Sequence, residues 1–184
     1  MSQSLKYPTA LTSVSENPYD DNAWANPTNA GGDDGNYASI TAASFDSPDY
    51  SEILKAIGLG FEIPTNAIIN GIFVEMECYN DSGETGKDVI FQLTKDGAAR
   101  VGDNKAKNAN WNTSPTVLEY GGSSDLWGTT WTASEINAST FGVHMANQAT
   151  TANADIYVDF IRVTVDYTIP PDIPKIGFKH IYSN

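Results

Sequence analysis

Two tryptophans, Trp127 and Trp131, are the residues of this sequence best suited to contact a ligand. They lie in the stretch YGGSSDLWGTTWT, with Asp125 just before them. Exposed aromatic rings stack on the apolar faces of sugars, and a carboxylate beside them takes the sugar hydroxyls. The alternative is that both rings are buried plugs, because Trp131 directly precedes a predicted helix start and Trp127 is followed by a glycine that permits close packing. The sequence leaves both alternatives open.

Catalytic constellations are scarce. The chain has no nucleophile-elbow, zinc-protease, P-loop or dinucleotide-binding motif. Its two histidines are isolated: His144 alternates with apolar neighbours and is predicted to be exposed on a strand, and His180 is near the C-terminus. The single cysteine, Cys78, is predicted to be a buried thiol. Glu75 and Glu77 lie side by side on one strand face, whereas a glycosidase needs opposed carboxyl groups. We therefore predict that the protein is not an enzyme.

Metal-binding signals are weak. Asp33 and Asp34 stand in an Asp-Asp-Gly-Asn loop, and Asp159 lies in the chain's last predicted strand. Such oxygen ligands suit Ca²⁺, but the spacing is not that of an EF-hand loop. We predict no cofactor, with a structural calcium as the one candidate if Asp159 meets the first loop in space.

The charge balance excludes several classes of partner. The chain carries 10 Lys and Arg against 23 Asp and Glu, a formal net charge of -13. Nucleic-acid binders need cations to neutralise phosphates, and anionic membrane surfaces would repel such a chain. The N-terminus has no apolar signal-peptide core, and no run of residues is long and apolar enough to span a bilayer. We therefore expect synthesis in a cytoplasm without an export signal, and neither a nucleic-acid nor a membrane partner.

Alternation of apolar and polar residues predicts the fold. Period-two segments recur from residue 53 onward, and Asp96-Gly97 predicts a hairpin turn. The last segment changes phase in its middle, which predicts a β-bulge near Asp159. Thr132 and Glu135 form a capping box, which predicts one short helical turn. Together these signals predict an all-β fold: an antiparallel β-sandwich of jelly-roll type.

The chain divides into three predicted parts. Residues 1–45 are rich in Asn, Asp, Gly, Pro and Ser and are predicted to form an extended arm and loops packed on the domain. Residues 46–168 form the sandwich core. Residues 169–184 are a Pro-rich tail, which either folds back on the domain or anchors it to a partner through Ile173, Ile176, Phe178, Lys179 and Tyr182.

One run of residues carries a resemblance to a known family. Gly121 to Gly142 reads G-G-x-x-D-L-W-G-x-x-W-T-x-x-E-I-N-x-S-x-F-G, and Ile63 to Ile72 adds an Ile-Pro-x-x-Ala-x-Ile-x-Gly-Ile segment. Over about residues 17–168 the chain resembles a β-sandwich module of bacteriophage virion, tail and fibre-associated proteins, which also occurs in some bacterial surface proteins. The resemblance supplies no catalytic residues.

The resemblance implies a structural role in a virus particle. We therefore expect a non-enzymatic virion protein, such as a capsid decoration, head fibre, collar or tail component, which leaves the host cytoplasm by lysis. Its partners would be other virion proteins and its own copies, and we predict a trimer. The alternative is a carbohydrate-binding module that recognises a cell-surface glycan during host adsorption.

Overall fold

The computed structural model describes residues 2–19, 22–41, 45, 47–81 and 85–171. One α-helix, α1, spans Ala133–Asn137, and a 3-10 turn spans Pro27–Ala30. The remaining elements are strands: β1 Ser2–Lys6, β2 Ala10–Val14, β3 Ala38–Ile40, β4 Ile53–Ile57, β5 Ile68–Asn80, β6 Gly86–Thr94, β7 Arg100–Val101, β8 Thr116–Gly122, β9 Gly142–Ala149 and β10 Ile156–Thr168. None of the described helices is long and apolar enough to cross a membrane.

The strands form two antiparallel five-stranded sheets. The first sheet has the order β1-β10-β5-β8, with β3 also paired to β10, and the second has the order β2-β4-β9-β6-β7. From β4 to β10 the chain crosses between the sheets at every step except the β6–β7 hairpin. This crossing pattern is that of a jelly roll. The predicted antiparallel β-sandwich is confirmed.

The core lies between the two sheets and is built by strand alternation. Val74 and Met76 of β5 and Val163 of β10 are fully buried on the inner face of the first sheet. Phe91 of β6 stacks on Tyr120 of β8, which joins the second sheet to the first. Because side chains alternate along a strand, the residues between these point to the outer faces.

Three local predictions are confirmed. The register of β10 against β5 shifts between Val158 and Phe160, which places a bulge at Asp159. Gly97 has a φ of 73° in the turn between β6 and β7, as a left-handed turn position requires. The side chain of Thr132 accepts a hydrogen bond from the amide of Glu135, and that of Glu135 accepts from the amide of Thr132, so the capping box begins α1.

The first 45 residues differ from the predicted arm. Ser2–Lys6 pairs with β10, Ala10–Val14 pairs with β4, and Ala38–Ile40 pairs with β10, so this segment supplies strands to both sheets. Main-chain hydrogen bonds hold these edge strands, although their sequences have little apolar alternation. The sandwich therefore begins at β1 rather than at residue 46. Trp24, which is buried, pins the intervening loop.

Candidate functional site

The two tryptophans singled out by the sequence are buried. Trp127 is 0% exposed and Trp131 is 8% exposed. The indole N–H of Trp127 donates to the carbonyl of Ile72 at 2.8 Å, and that of Trp131 donates to the carbonyl of Leu126 at 3.0 Å. Trp131 also meets Phe141 edge-on, with ring centroids 5.3 Å apart. Neither ring presents a face to solvent, so the structure favours the plug alternative over a stacking platform.

Asp125 holds the turn that buries Trp127. Its carboxylate accepts from the backbone amide of Trp127 at 2.7 Å and pairs with Lys105 at 2.8 Å. Trp127 has a φ of 58° and Gly128 a φ of 67°, so two consecutive left-handed residues tuck the indole inward. The ammonium of Lys105 lies 5.3 Å from the centre of the Trp127 ring. The carboxylate thus stabilises a structural turn.

Three tyrosine rings lie together on the surface of the first sheet instead of in the core. Tyr79 of β5 and Tyr157 of β10 pair across the first sheet and stack with centroids 4.6 Å apart. Tyr37, just before β3, lies 5.3 Å from the first ring and 6.0 Å from the second, at 82° to both. These similar distances place Tyr37 alongside the stack rather than at its end. The three rings are half-buried on the outer surface of the first sheet, which we call the tyrosine face.

The hydroxyls of these tyrosines are donors at neutral pH. Burial raises the pKa of Tyr37, Tyr79 and Tyr157, and neighbouring acidic side chains raise it further. No hydrogen bond joins any of the three hydroxyls to another residue in the described ranges. The cluster therefore combines ring surface with protonated polar tips.

The β10 half of the tyrosine face is tied together by Arg162. Its guanidinium makes two hydrogen bonds to Glu75 of β5, at 2.9 and 2.8 Å, and one of 3.3 Å to the hydroxyl of Tyr7. It also lies 4.7 Å from the ring centre of Phe160 and 3.8 Å from a carboxylate oxygen of Asp33. The negative charge of Glu75 is therefore largely neutralised by Arg162.

Asp159 joins the first loop to the closing strand, as the calcium prediction required. Its carboxylate accepts from the amides of Asp34 at 3.4 Å and Gly35 at 3.1 Å, and burial raises its pKa. These N–H groups occupy an oxygen that a cation would need. Among the described residues, no three His, Cys, Asp or Glu side chains are grouped so as to hold a metal. The calcium at Asp33, Asp34 and Asp159 stays a prediction.

The β5–β8 half of the tyrosine face is open. Gly31 bridges to Phe160, so the first loop pairs with β10 on the side away from β5. On the other side, Val117 is 39% exposed and Glu119 is exposed on β8, and these pair with Glu77 and Glu75 of β5, respectively. Apolar and acidic side chains therefore share an accessible strip beside the tyrosine cluster.

Glu77 lies within this strip, and its surroundings disfavour the negative charge of its carboxylate. Burial raises the pKa of Glu77, and the negative charges of Asp159 and Asp33 raise it further, against a smaller opposing effect of Arg162. A ligand that donates hydrogen bonds to this carboxylate would relieve part of that repulsion. Glu77 is therefore a natural acceptor on the face.

Sequence alternation placed Glu75, Glu77 and Tyr79 on an outward strand face but did not identify the tyrosines as a site. Tyr37, Tyr79 and Tyr157 are far apart in the chain, and only strand pairing brings them together. The sequence did contain one indication, because Tyr79 alternates in phase with the two glutamates and therefore lies on the same outward face of the strand. What the sequence lacked was the pairing of β5 with β10.

His144 also differs from its prediction. Its side chain points to the outer face of the second sheet, as alternation requires, but it is 3% exposed rather than open to solvent. The segment around Glu16 and the turn at Gly97 border the same hollow and cover the ring. The proposed docking residues of the tail, Ile173, Ile176, Phe178, Lys179 and Tyr182, lie outside the described residues.

Solved structures that are similar to this chain include the following two. One is named "BiXyn10A CBM1 APO", with 15% identity, 91% of this chain and 97% of that chain covered, and a TM-score of 0.41. The other is "CBM29_1, A Family 29 Carbohydrate Binding Module from Piromyces equi", with 14% identity, 89% of each chain covered and a TM-score of 0.39. At these scores the likeness carries no argument about what this chain binds. No protein-family model matches the chain, and no curated protein sequence matches it.

Proposed function

We propose that this protein is a non-catalytic glycan-binding module that holds its ligand on the tyrosine face. The observation that carries the proposal is the cluster of Tyr37, Tyr79 and Tyr157 beside an open strip of β5 and β8. Because Tyr79 and Tyr157 stack on each other, the cluster is a ridge of rings rather than a flat platform, and its apolar surface is of a kind that a sugar ring can contact.

The apolar part of the interaction is supplied by the rings. The mutual stacking of Tyr79 and Tyr157 fixes both side chains, and Tyr37 braces them from one side. A cluster that is ordered before binding loses little side-chain entropy when a ligand arrives.

The polar part is supplied by carboxylates and phenols. Glu119 is exposed on β8, and Glu77 is half-buried on β5 one row closer to the cluster. Both accept hydrogen bonds, and the tyrosine hydroxyls donate them, so the strip offers both partners that sugar hydroxyls require. The excess of carboxylates favours a neutral glycan over an acidic one at this face, because an anionic sugar would be repelled.

A glycan array followed by calorimetry tests the proposal. The wild-type chain should bind at least one neutral glycan, and the double variant Tyr79→Ala/Tyr157→Ala should bind it about tenfold more weakly or worse. Calorimetry on the strongest array hit gives the affinity. Thermal melting of the same samples shows that the variant remains folded.

The matched control is a second tyrosine pair on the opposite side of the molecule. Tyr19 and Tyr50 meet edge-on, with centroids 5.4 Å apart, near the outer face of the second sheet. The double variant Tyr19→Ala/Tyr50→Ala removes the same number of rings and should leave the affinity unchanged. Equal losses in the two double variants would contradict a site on the tyrosine face, and an array without hits would contradict glycan binding.

A role in a virus particle stays a prediction from the sequence. It rests on the resemblance of Gly121 to Gly142, and nothing among the described contacts favours it over other settings for a glycan-binding module. The trimeric state and docking through residues 169–184 likewise remain to be measured. Mass spectrometry of purified particles and analytical ultracentrifugation are the corresponding measurements.

A further inference from the structure

A cleft of about 290 Å³ lies on the outer face of the second sheet, on the far side of the sandwich from the tyrosine face. Its floor is formed by β4 and β9, and its walls by the residues after β2 and by the turn between β6 and β7. The lining includes Val14, Ile53 and Ala98 as apolar groups and Glu16, Lys55 and His144 as polar ones. This cleft is independent of the proposed glycan site.

His144 lies at the floor of the cleft without a hydrogen-bond partner. It is 3% exposed, and neither ring nitrogen makes a hydrogen bond to another described residue. Its contact with the backbone of Gly97 falls short of hydrogen-bond geometry. Burial lowers the pKa of His144 to about 4, with the positive charges of Arg100 and Lys55 adding to the effect and Glu16 opposing it. At neutral pH the ring therefore offers one N–H donor and one bare nitrogen acceptor.

The cleft also holds one uncompensated cation. Arg100 makes two hydrogen bonds to the carboxylate of Glu16 and lies 5.9 Å from the ring centre of Tyr19, so its charge is neutralised. Lys55 is half-buried and faces His144 across the β4–β9 pairing. Its ammonium has no ion pair or hydrogen bond within the described part of the chain. In a chain of net charge -13, this is a local site for a single negative charge.

We infer that the cleft binds a small hydroxy-carboxylate, most simply a sugar acid, with its carboxylate on Lys55 and a hydroxyl on His144. One carboxylate matches the one free ammonium, whereas a dianion such as phosphate would keep a second charge without a partner. A hydroxyl both donates and accepts, as the neutral imidazole does. The volume limits the occupant to about one small molecule or one sugar unit, and Val14 and Ile53 receive its apolar side.

Titration with D-glucuronate and D-glucose tests the inference, because the two differ only in a carboxylate against a hydroxymethyl group. The readout is the imidazole ¹H–¹⁵N spectrum, recorded on a His180→Gln background so that His144 gives the only histidine signals. Glucuronate should shift the His144 signals and glucose should not. The methyl glycoside of glucuronate separates two sources: if it binds, a glycan-terminal residue fits, and if only the free acid binds, the ligand is a free sugar acid.

Variants of Lys55 make the test specific. Lys55→Met keeps the apolar stem and should weaken glucuronate binding about tenfold, whereas Lys55→Arg should retain it. Tyr79→Ala/Tyr157→Ala should leave this binding unchanged, so failure here and failure of the glycan site are distinguishable. The inference would be overturned if the His144 signals did not shift at millimolar glucuronate, or if glucose shifted them equally. It would also be overturned if Lys55→Met bound glucuronate as tightly as the wild type.

Discussion

The tryptophan turn and the tyrosine face use aromatic rings for opposite purposes. Trp127 and Trp131 donate their indole N–H groups to backbone carbonyls inside the molecule, and their rings fill the space between the sheets. Tyr79 and Tyr157 lie on the outward side of paired strands and keep their hydroxyls free of described partners. The density of aromatic residues in the sequence therefore does not locate a ligand site. A ligand site is located by the side of the strand or turn on which the backbone places each ring.

The first way to test this comparison is to remove a ring from each region. Trp127→Ala should lower the free energy of unfolding by about 3–5 kcal/mol, because it leaves a cavity and an orphaned carbonyl at Ile72. Tyr79→Ala should cost only about 1–2 kcal/mol, because its ring is half-buried. Urea denaturation of both variants gives the two values.

Equal destabilisation by the two substitutions would mean that the tyrosine cluster is part of the core. A Trp127→Ala variant as stable as the wild type would mean that the indole is not a plug. Either result would remove the contrast between the two regions.

The second prediction concerns the ion pair that holds the tyrosine face. Arg162→Met should lower the free energy of unfolding by about 1–3 kcal/mol, because it leaves the half-buried Glu75 without its two hydrogen bonds. The control is Lys95→Met, which removes a pair between Lys95 and Glu135 near α1 whose cation is similarly exposed and whose carboxylate is more exposed. That pair has a single carboxylate contact, so its loss should be smaller. Thermal denaturation ranks the two, and the reverse order would contradict the organising role of Arg162.

The sequence contained most of the fold but little of the candidate site. The bulge at Asp159, the turn at Gly97 and the capping box at Thr132 were predictable because each depends on neighbouring residues. Ser2–Lys6 and Ala10–Val14 were not, because edge strands held by main-chain hydrogen bonds need no apolar alternation.

The site was harder to predict because it depends on distant pairings. Alternation places His144 on an outward face, but the segments that cover it come from elsewhere in the chain. The Tyr79–Tyr157 stack likewise requires the register of β5 against β10. Local pattern determines the side of a strand on which a residue lies, and tertiary structure determines whether that side is covered.

The smallest expected effect is at Glu77, whose pKa is raised first by burial and then by Asp159 and Asp33. A carboxyl with a raised folded pKa favours the folded state below its unfolded pKa, and this contribution is lost as pH rises through the folded value. Glu77→Gln should therefore stabilise the protein at neutral pH by less than about 1 kcal/mol, and the gain should disappear in acid. Melting temperatures from pH 3 to 8 measure it. Glu119→Gln, on the exposed edge strand, is the control and should show little change at any pH.

The most direct test of the account is to map the bound glycan by ¹H–¹⁵N chemical-shift perturbation, using the strongest hit from the array. The perturbed amides should lie on β5 and β8 and around Tyr37 and Tyr157, on the outer face of the first sheet. Perturbations confined to the turn around Trp127 and Trp131, or to the second sheet, would contradict it.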